Sequence, residues 1–150
     1  MQFEQYKLLL KQLSAILDGE HDMIANMANA SALLFHSLSD INWAGFYIYK
    51  DNELVLGPFQ GNVACMHIPI GKGVCGTCAK QRQTICVEDV HAFPGHIACD
   101  SASRSELVIP ILKENTLLGV LDIDSPITSR FQPHDITYLE AFANIIIQSL

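Results

Sequence analysis

Residues 105–125 read SELVIPILKENTLLGVLDIDS. Two apolar runs, Ser105 to Lys113 and Thr116 to Ser125, are separated by Glu114-Asn115, so the stretch predicts an antiparallel β-hairpin. Within the second run Asp122 and Asp124 alternate with apolar residues. A period of two sends both to one face, the face of Leu118 and Val120. Glu106 opens the first run just before Leu107, which brings a third carboxylate toward the same sheet end. Such a cluster raises at least one carboxyl pKa and can hold a proton at neutral pH. It then suits hydrogen-bond donation to a substrate oxygen, or attraction of an ammonium group. The alternative reading is a strand that simply runs out into solvent.

Upstream, Asn42 to Lys50 predicts another strand, joined through Lys50-Asp51-Asn52-Glu53 to a partner at Leu54–Leu56. Alternation puts Ala44, Phe46 and Ile48 on a core face and Trp43, Gly45, Tyr47 and Tyr49 on the other, where large rings beside a small residue suit a core edge or a ligand pocket. Residues 57–61 read as irregular, 63–69 as a short strand, 73–81 as a short helix and 84–87 as a strand. Residues 88–104 have no period, and an unstructured stretch of that length in a compact domain suits a lid or binding loop. Two helices precede the sheet. The first spans 3–17 and turns Leu9, Leu10, Leu13, Ile16 and Leu17 inward; the second spans about 21–38, with Ile24, Met27, Ala28, Ser31, Leu34, Phe35 and Leu38 on its stripe. A last helix covers about 133–148, with Ile136, Leu139, Phe142, Ala143, Ile146 and Ile147 on its inward side. Helices at both ends of an antiparallel sheet of five or six strands give an α+β domain occupying residues 1–150.

The 150 residues are 49% hydrophobic and 17% charged, with a net charge of −7. That balance fits one globular core and repels nucleic acid and anionic lipid, so neither is an expected partner. The N-terminal stretch lacks a signal or membrane-spanning segment, and a cytoplasmic location is expected.

All five cysteines, Cys65, Cys75, Cys78, Cys86 and Cys99, fall between positions 65 and 99. In a reducing compartment such clustering points to thiol redox chemistry or metal binding rather than a disulfide framework. Cys75-Gly-Thr-Cys78 has redox-motif spacing, and a helix opening at Gly73 would lower a thiol pKa there. The strand–motif–long-helix order of thioredoxin-like folds is missing, however. No second C-x-x-C or paired-histidine motif completes a tetrahedral site, so no metal is expected. Gly71-Lys72-Gly73 lacks phosphate-loop spacing and reads as a turn. His91 and His96 sit in the long loop near Cys99, where an imidazolium favours a thiolate; the remaining helical histidines read as surface residues.

Three segments together, GPFQGNVACMHIPIGKGVCG, VEDVHAFPGHIACDSASRSELVIPI and GVLDIDS, resemble the free methionine-(R)-sulfoxide reductases, which are built as single GAF domains. The resemblance runs from about Asn42 to Phe142. It implies that Cys99 attacks the sulfoxide sulfur and becomes a sulfenic acid, that Cys65 resolves it as a disulfide, and that Cys75 is an auxiliary resolving thiol or relay. Cys78 and Cys86 match no family motif and are expected as small buried residues. Glu106, Asp122 and Asp124 match the acidic substrate site, and Trp43 and Tyr47 its aromatic wall. The amides of the loop from His96 to Ser103 are candidate binders of the substrate carboxylate. No flavin or nicotinamide fingerprint is present, so no cofactor is expected and a thioredoxin-type reductant is implied. The end helices offer a homodimer surface, as in related GAF domains. A GAF module that binds a small molecule or senses redox state without catalysis is the alternative.

Overall fold

The computed structural model describes residues 2–97 and 99–150. Elements follow in the order α1 (Phe3–Leu17), α2 (Met23–Ser37), β1 (Trp43–Lys50), β2 (Glu53–Gly61), β3 (His67–Pro69), α3 (Gly73–Gln81), β4 (Ile85–Val87), β5 (Ser105–Lys113), β6 (Thr116–Ser125) and α4 (Pro133–Ser149). The six strands form one antiparallel sheet in the order β3-β2-β1-β6-β5-β4. The hairpin at 105–125 is therefore built as its sequence predicts, and β6 lies at the centre of the sheet between β1 and β5.

Each face of the sheet buries a separate apolar layer. On one side Ala44, Phe46, Leu107, Ile109, Leu121 and Ile123 pack under α1, α2 and α4. On the other, Trp43, Tyr47, Val108 and Val120 meet α3 through Val74, Cys75, Cys78 and Ala79. Asp22 caps α2 by accepting the Ala25 amide at 2.9 Å, and Pro133 opens α4 at a position where no backbone donor is needed. Arg130 and the Tyr6 hydroxyl both reach the buried Asp135 at the start of α4 and tie α1 to it.

Several expectations from periodicity are corrected. Ile16 and Ile24 are exposed, as is Ala28, because the inward stripes are Tyr6-Leu9-Leu13-Leu17 on α1 and Asn26-Met27-Ala30-Ser31-Leu34 on α2. Two members of the second stripe are polar but satisfied. Asn26 donates to the Glu20 carbonyl at 2.9 Å and to Ser149 Oγ at 3.1 Å, while Ser31 donates to the Met27 carbonyl at 2.7 Å.

β2 continues through Gly57-Pro58 to Gly61, and the stretch before β3 is irregular instead. The β1–β2 register slips between Gly45 and Tyr47, so the segment containing Gly57-Pro58 is accommodated as a bulge rather than ending the strand. A second slip, between Ile111 and Leu112, puts Leu118 on the helical side while Leu117 and Val120 face α3, so Leu118 does not share the face of Asp122 and Asp124. Residues 88–104 are anchored rather than structureless. Val90–Ala92 forms a 3₁₀ turn capped by Asp89, and Arg104 donates to the Ser125 carbonyl at 2.7 Å.

Candidate active site

β6 delivers Asp122 and Asp124 to the α3 side of the sheet. Strand pairing sets Glu106 directly opposite Asp124, and on the other flank it sets Gly45 beside Asp122 and Trp43 beside Asp124. Like charges facing each other across a ladder repel. All three carboxyl groups are nonetheless buried, and Oδ1 of both aspartates finds no hydrogen-bond partner among the described residues. Burial first, and the neighbouring carboxyl groups second, push Asp122 and Asp124 well above the ordinary carboxylate range. Both aspartates are thereby biased toward the protonated form.

The aromatic wall comes from β1. Trp43 lies between Tyr47, with ring centroids 5.9 Å apart, and Phe59, at 5.1 Å, both stacked. Gly45 makes this possible, because a Cβ there would collide with Phe59 across the strand pair. The indole donates to the Asn62 carbonyl at 3.1 Å and the Tyr47 hydroxyl to the Cys65 carbonyl at 3.0 Å, which ties the wall to the segment carrying Cys65. Burial and then the nearby acids raise the Tyr47 phenol, so it stays neutral.

Cys65 and Cys99 are joined as a disulfide, with Cα atoms 5.5 Å apart. Cys99, Asp100, Ser103, Trp43, Tyr47, Cys75, Glu106, Asp122 and Asp124 all line one pocket. The loop is held over it by Asn42, whose amide donates to Asp100 Oδ2 and Ser103 Oγ, each at 3.1 Å. Ala98, one of the loop positions nominated for carboxylate binding, lies outside the described residues. The pocket thus combines a disulfide-bonded cysteine pair, a buried acid cluster and an aromatic wall. That combination suits nucleophilic attack on a small oxidised sulfur compound, with protonation of the oxygen it carries.

Comparison with known proteins identifies the family. The GAF domain model matches residues 6–150. The free methionine-R-sulfoxide reductase of Escherichia coli (strain K12) is 53% identical over 132 residues, which is 88% of this chain and 80% of that protein. This chain belongs to the free methionine-R-sulfoxide reductase family. Among solved structures, the fRMsr of Staphylococcus aureus in complex with substrate superposes with a TM-score of 0.93 at 56% identity, over 97% of this chain and 95% of that one. The free methionine-R-sulfoxide reductase of Neisseria meningitidis in complex with its substrate gives 0.94 at 40% identity, over 99% and 91%.

In this member of the reductase family, all eight residues nominated from sequence come together, seven in the pocket lining and Cys65 through its bond to Cys99. Cys75 sits on the floor with its thiol 3.8 Å from Glu106 Oε2. The expected lowering of its pKa by the start of α3 does not occur, because burial and the three acids raise it well above normal. Cys78 is fully buried, its thiol pushed up to about 12 chiefly by burial, and it points to the Val108 carbonyl instead of pairing with Cys75. Cys86, expected to be buried, is exposed on the short edge strand β4. His96 lines the pocket, but His91 is exposed on the 3₁₀ turn and does not. Sequence reasoning missed Asn42, which looks like any strand-edge asparagine, and Lys72, dismissed with its glycine neighbours as a turn. The turn is real, with Gly71 at φ +87° and Gly73 at φ +61°, and it sets Lys72 on the pocket.

Proposed function

We propose that this protein reduces free L-methionine-(R)-S-oxide to methionine. The Cys99 thiolate attacks the sulfoxide sulfur while an acid of the Glu106-Asp122-Asp124 cluster gives the sulfoxide oxygen a proton. The attack forms an Sγ–S bond; the protonated oxygen then passes to Cys99 Sγ as the Sγ–S and S–O bonds to the methionine sulfur break, so methionine leaves and Cys99 carries the hydroxyl as a sulfenic acid. The Cys65 thiol then attacks that sulfur, water departs, and the Cys65–Cys99 disulfide remains. Two electrons from a thioredoxin-type dithiol in the cytoplasm return both residues to thiols. A second carboxylate of the cluster pairs with the α-ammonium, which a methionine inside a protein chain lacks, and this selects the free amino acid. The Trp43 and Tyr47 rings receive the S-methyl end. Cys75, kept as a neutral thiol on the floor, serves as the auxiliary thiol during recycling. Residues 1–150 act as one domain, and exposed Leu8 and Ile16 on α1 support a homodimer through the helical layer.

The observation that carries this reading is the Cys65–Cys99 disulfide in the wall of a pocket floored by three buried carboxyl groups. The test is a product assay with free R-sulfoxide, free S-sulfoxide and a peptide-bound sulfoxide under a recycling dithiol. Only the free R form is expected to turn over. Cys99→Ser is expected to yield no methionine, and Cys65→Ser to slow sharply after the first equivalent. Full turnover by Cys99→Ser refutes the assignment.

A further inference from the structure

The pocket is electrically polarised. Glu106, Asp122 and Asp124 are buried at its floor, and Asp100 stands on its loop side. Lys72 is the one lysine or arginine in the lining. It is exposed, and it has no ion-pair partner among the described residues. Its backbone sits between Gly71 and Gly73, both in the left-handed region, and opens α3, so its side chain enters the pocket lining from the start of that helix.

A zwitterion entering such a field has a preferred orientation. Its ammonium is drawn to the acidic floor, and its carboxylate is repelled by the same acids. The carboxylate therefore turns toward the mouth, where Lys72 supplies the fixed positive charge. We infer that Lys72 is a specificity-determining residue that holds the α-carboxylate of the substrate and favours amino-acid sulfoxides over those lacking a carboxylate. This rests on the proposed substrate class. It adds a side-chain charge to the loop amides as the receiver of that group.

The experiment separates the inference from the reading beneath it by measuring binding without turnover. Cys99→Ser protein is titrated with free methionine-R-sulfoxide and with 3-(methylsulfinyl)propylamine, which keeps the ammonium and the sulfoxide but has no carboxylate. The readout is the fluorescence of Trp43, the single tryptophan, which lines the pocket. Adding Lys72→Met is expected to weaken the amino acid about fivefold, the size of a partly exposed ion pair, and to leave the amine unchanged. Lys72→Arg restores the amino acid. Lys72→Glu weakens the amino acid further but tightens the amine, a reversal that a merely structural role would not produce. In the active enzyme Lys72→Met raises KM and spares kcat. Equal weakening of both ligands, or no weakening of the amino acid, overturns the inference. A Cys99→Ser parent that binds neither ligand overturns the substrate reading and this inference together.

Discussion

Replacing Asp122 by Asn is expected to stabilise the protein while removing its activity. The ligand oxygens of Asp122 and Glu106 lie within 4.8 Å of each other. Two full charges at that separation repel by about 3.5 kcal/mol at an effective dielectric constant of about 20. The cluster relieves part of that repulsion by retaining a proton. A gain of about 1 to 2 kcal/mol is expected, which for 150 residues raises the melting temperature by about 3 to 6 °C. The pH dependence identifies the cause. A carboxyl whose pKa is higher in the fold than in the unfolded chain is most favourable to folding below the unfolded value. It costs stability as pH rises from there to the raised value. The advantage of Asp122→Asn should therefore vanish below about pH 4, where unfolded aspartate is itself protonated, and grow as pH rises from there toward the raised value. Calorimetry of the reduced wild type and variant between these limits checks this. A variant that melts below wild type at neutral pH, or a difference that does not change with pH, refutes the account of a repulsive, proton-holding cluster.

Two further outcomes are expected. The Cys65–Cys99 bond spans a sequence separation of 34, and closing a loop of that size lowers the entropy of the unfolded chain by about 3.8 kcal/mol at 25 °C. Oxidised protein should accordingly denature at higher urea concentration than protein held reduced, and equal midpoints would contradict the coupling of loop order to redox state. Asn42→Ala removes both amide bonds to Asp100 and Ser103. A stability loss of about 1 kcal/mol and faster amide exchange at residues 99–103 are expected, with KM raised more than kcat is lowered; unchanged exchange there would show that the loop is held by other contacts.

The fold was legible wherever a period of two or of 3.6 was carried by apolar side chains. The hairpin at 105–125, the two faces of β1 and the inward stripe of α4 follow that rule. It failed where a polar residue outside the apolar stripe was buried with partners, as at Asn26, because pattern reading sees the side chain and not the Glu20 carbonyl and Ser149 hydroxyl that receive it. It failed again at the bulges, where one extra residue reverses the facing of everything before it. Leu118 was misassigned for that reason, and β2 was ended early at a glycine-proline pair that a slipped register accommodates. Within the site, acids and cysteines stood out because charge or sulfur in an apolar strand is chemically conspicuous. Asn42 and Lys72 carried no such mark: their importance is a matter of what the topology sets beside them.

The same geometry explains why the acid cluster and the disulfide pair occupy one pocket. Three carboxyl groups on neighbouring strands oppose folding through their mutual repulsion, and they would do so least if moved to solvent. Burial is what biases these groups toward the protonated form, so the repulsion cannot be relieved without losing the proton donor that the proposed reaction needs. Burial also raises the Cys75 thiol and keeps it protonated on the floor. The proposed reaction accordingly takes its nucleophile from the loop, where Cys99 lies half-buried, and not from the floor. A loop cysteine can also reach a partner on a second segment, and Cys65 meets it there at a Cα separation of 5.5 Å. In the proposed reaction, placing the proton donor on the sheet and the attacking thiol on the loop meets opposite demands on their surroundings, since a carboxylic acid needs burial to stay neutral and a thiolate needs solvent and positive charge to stay ionised.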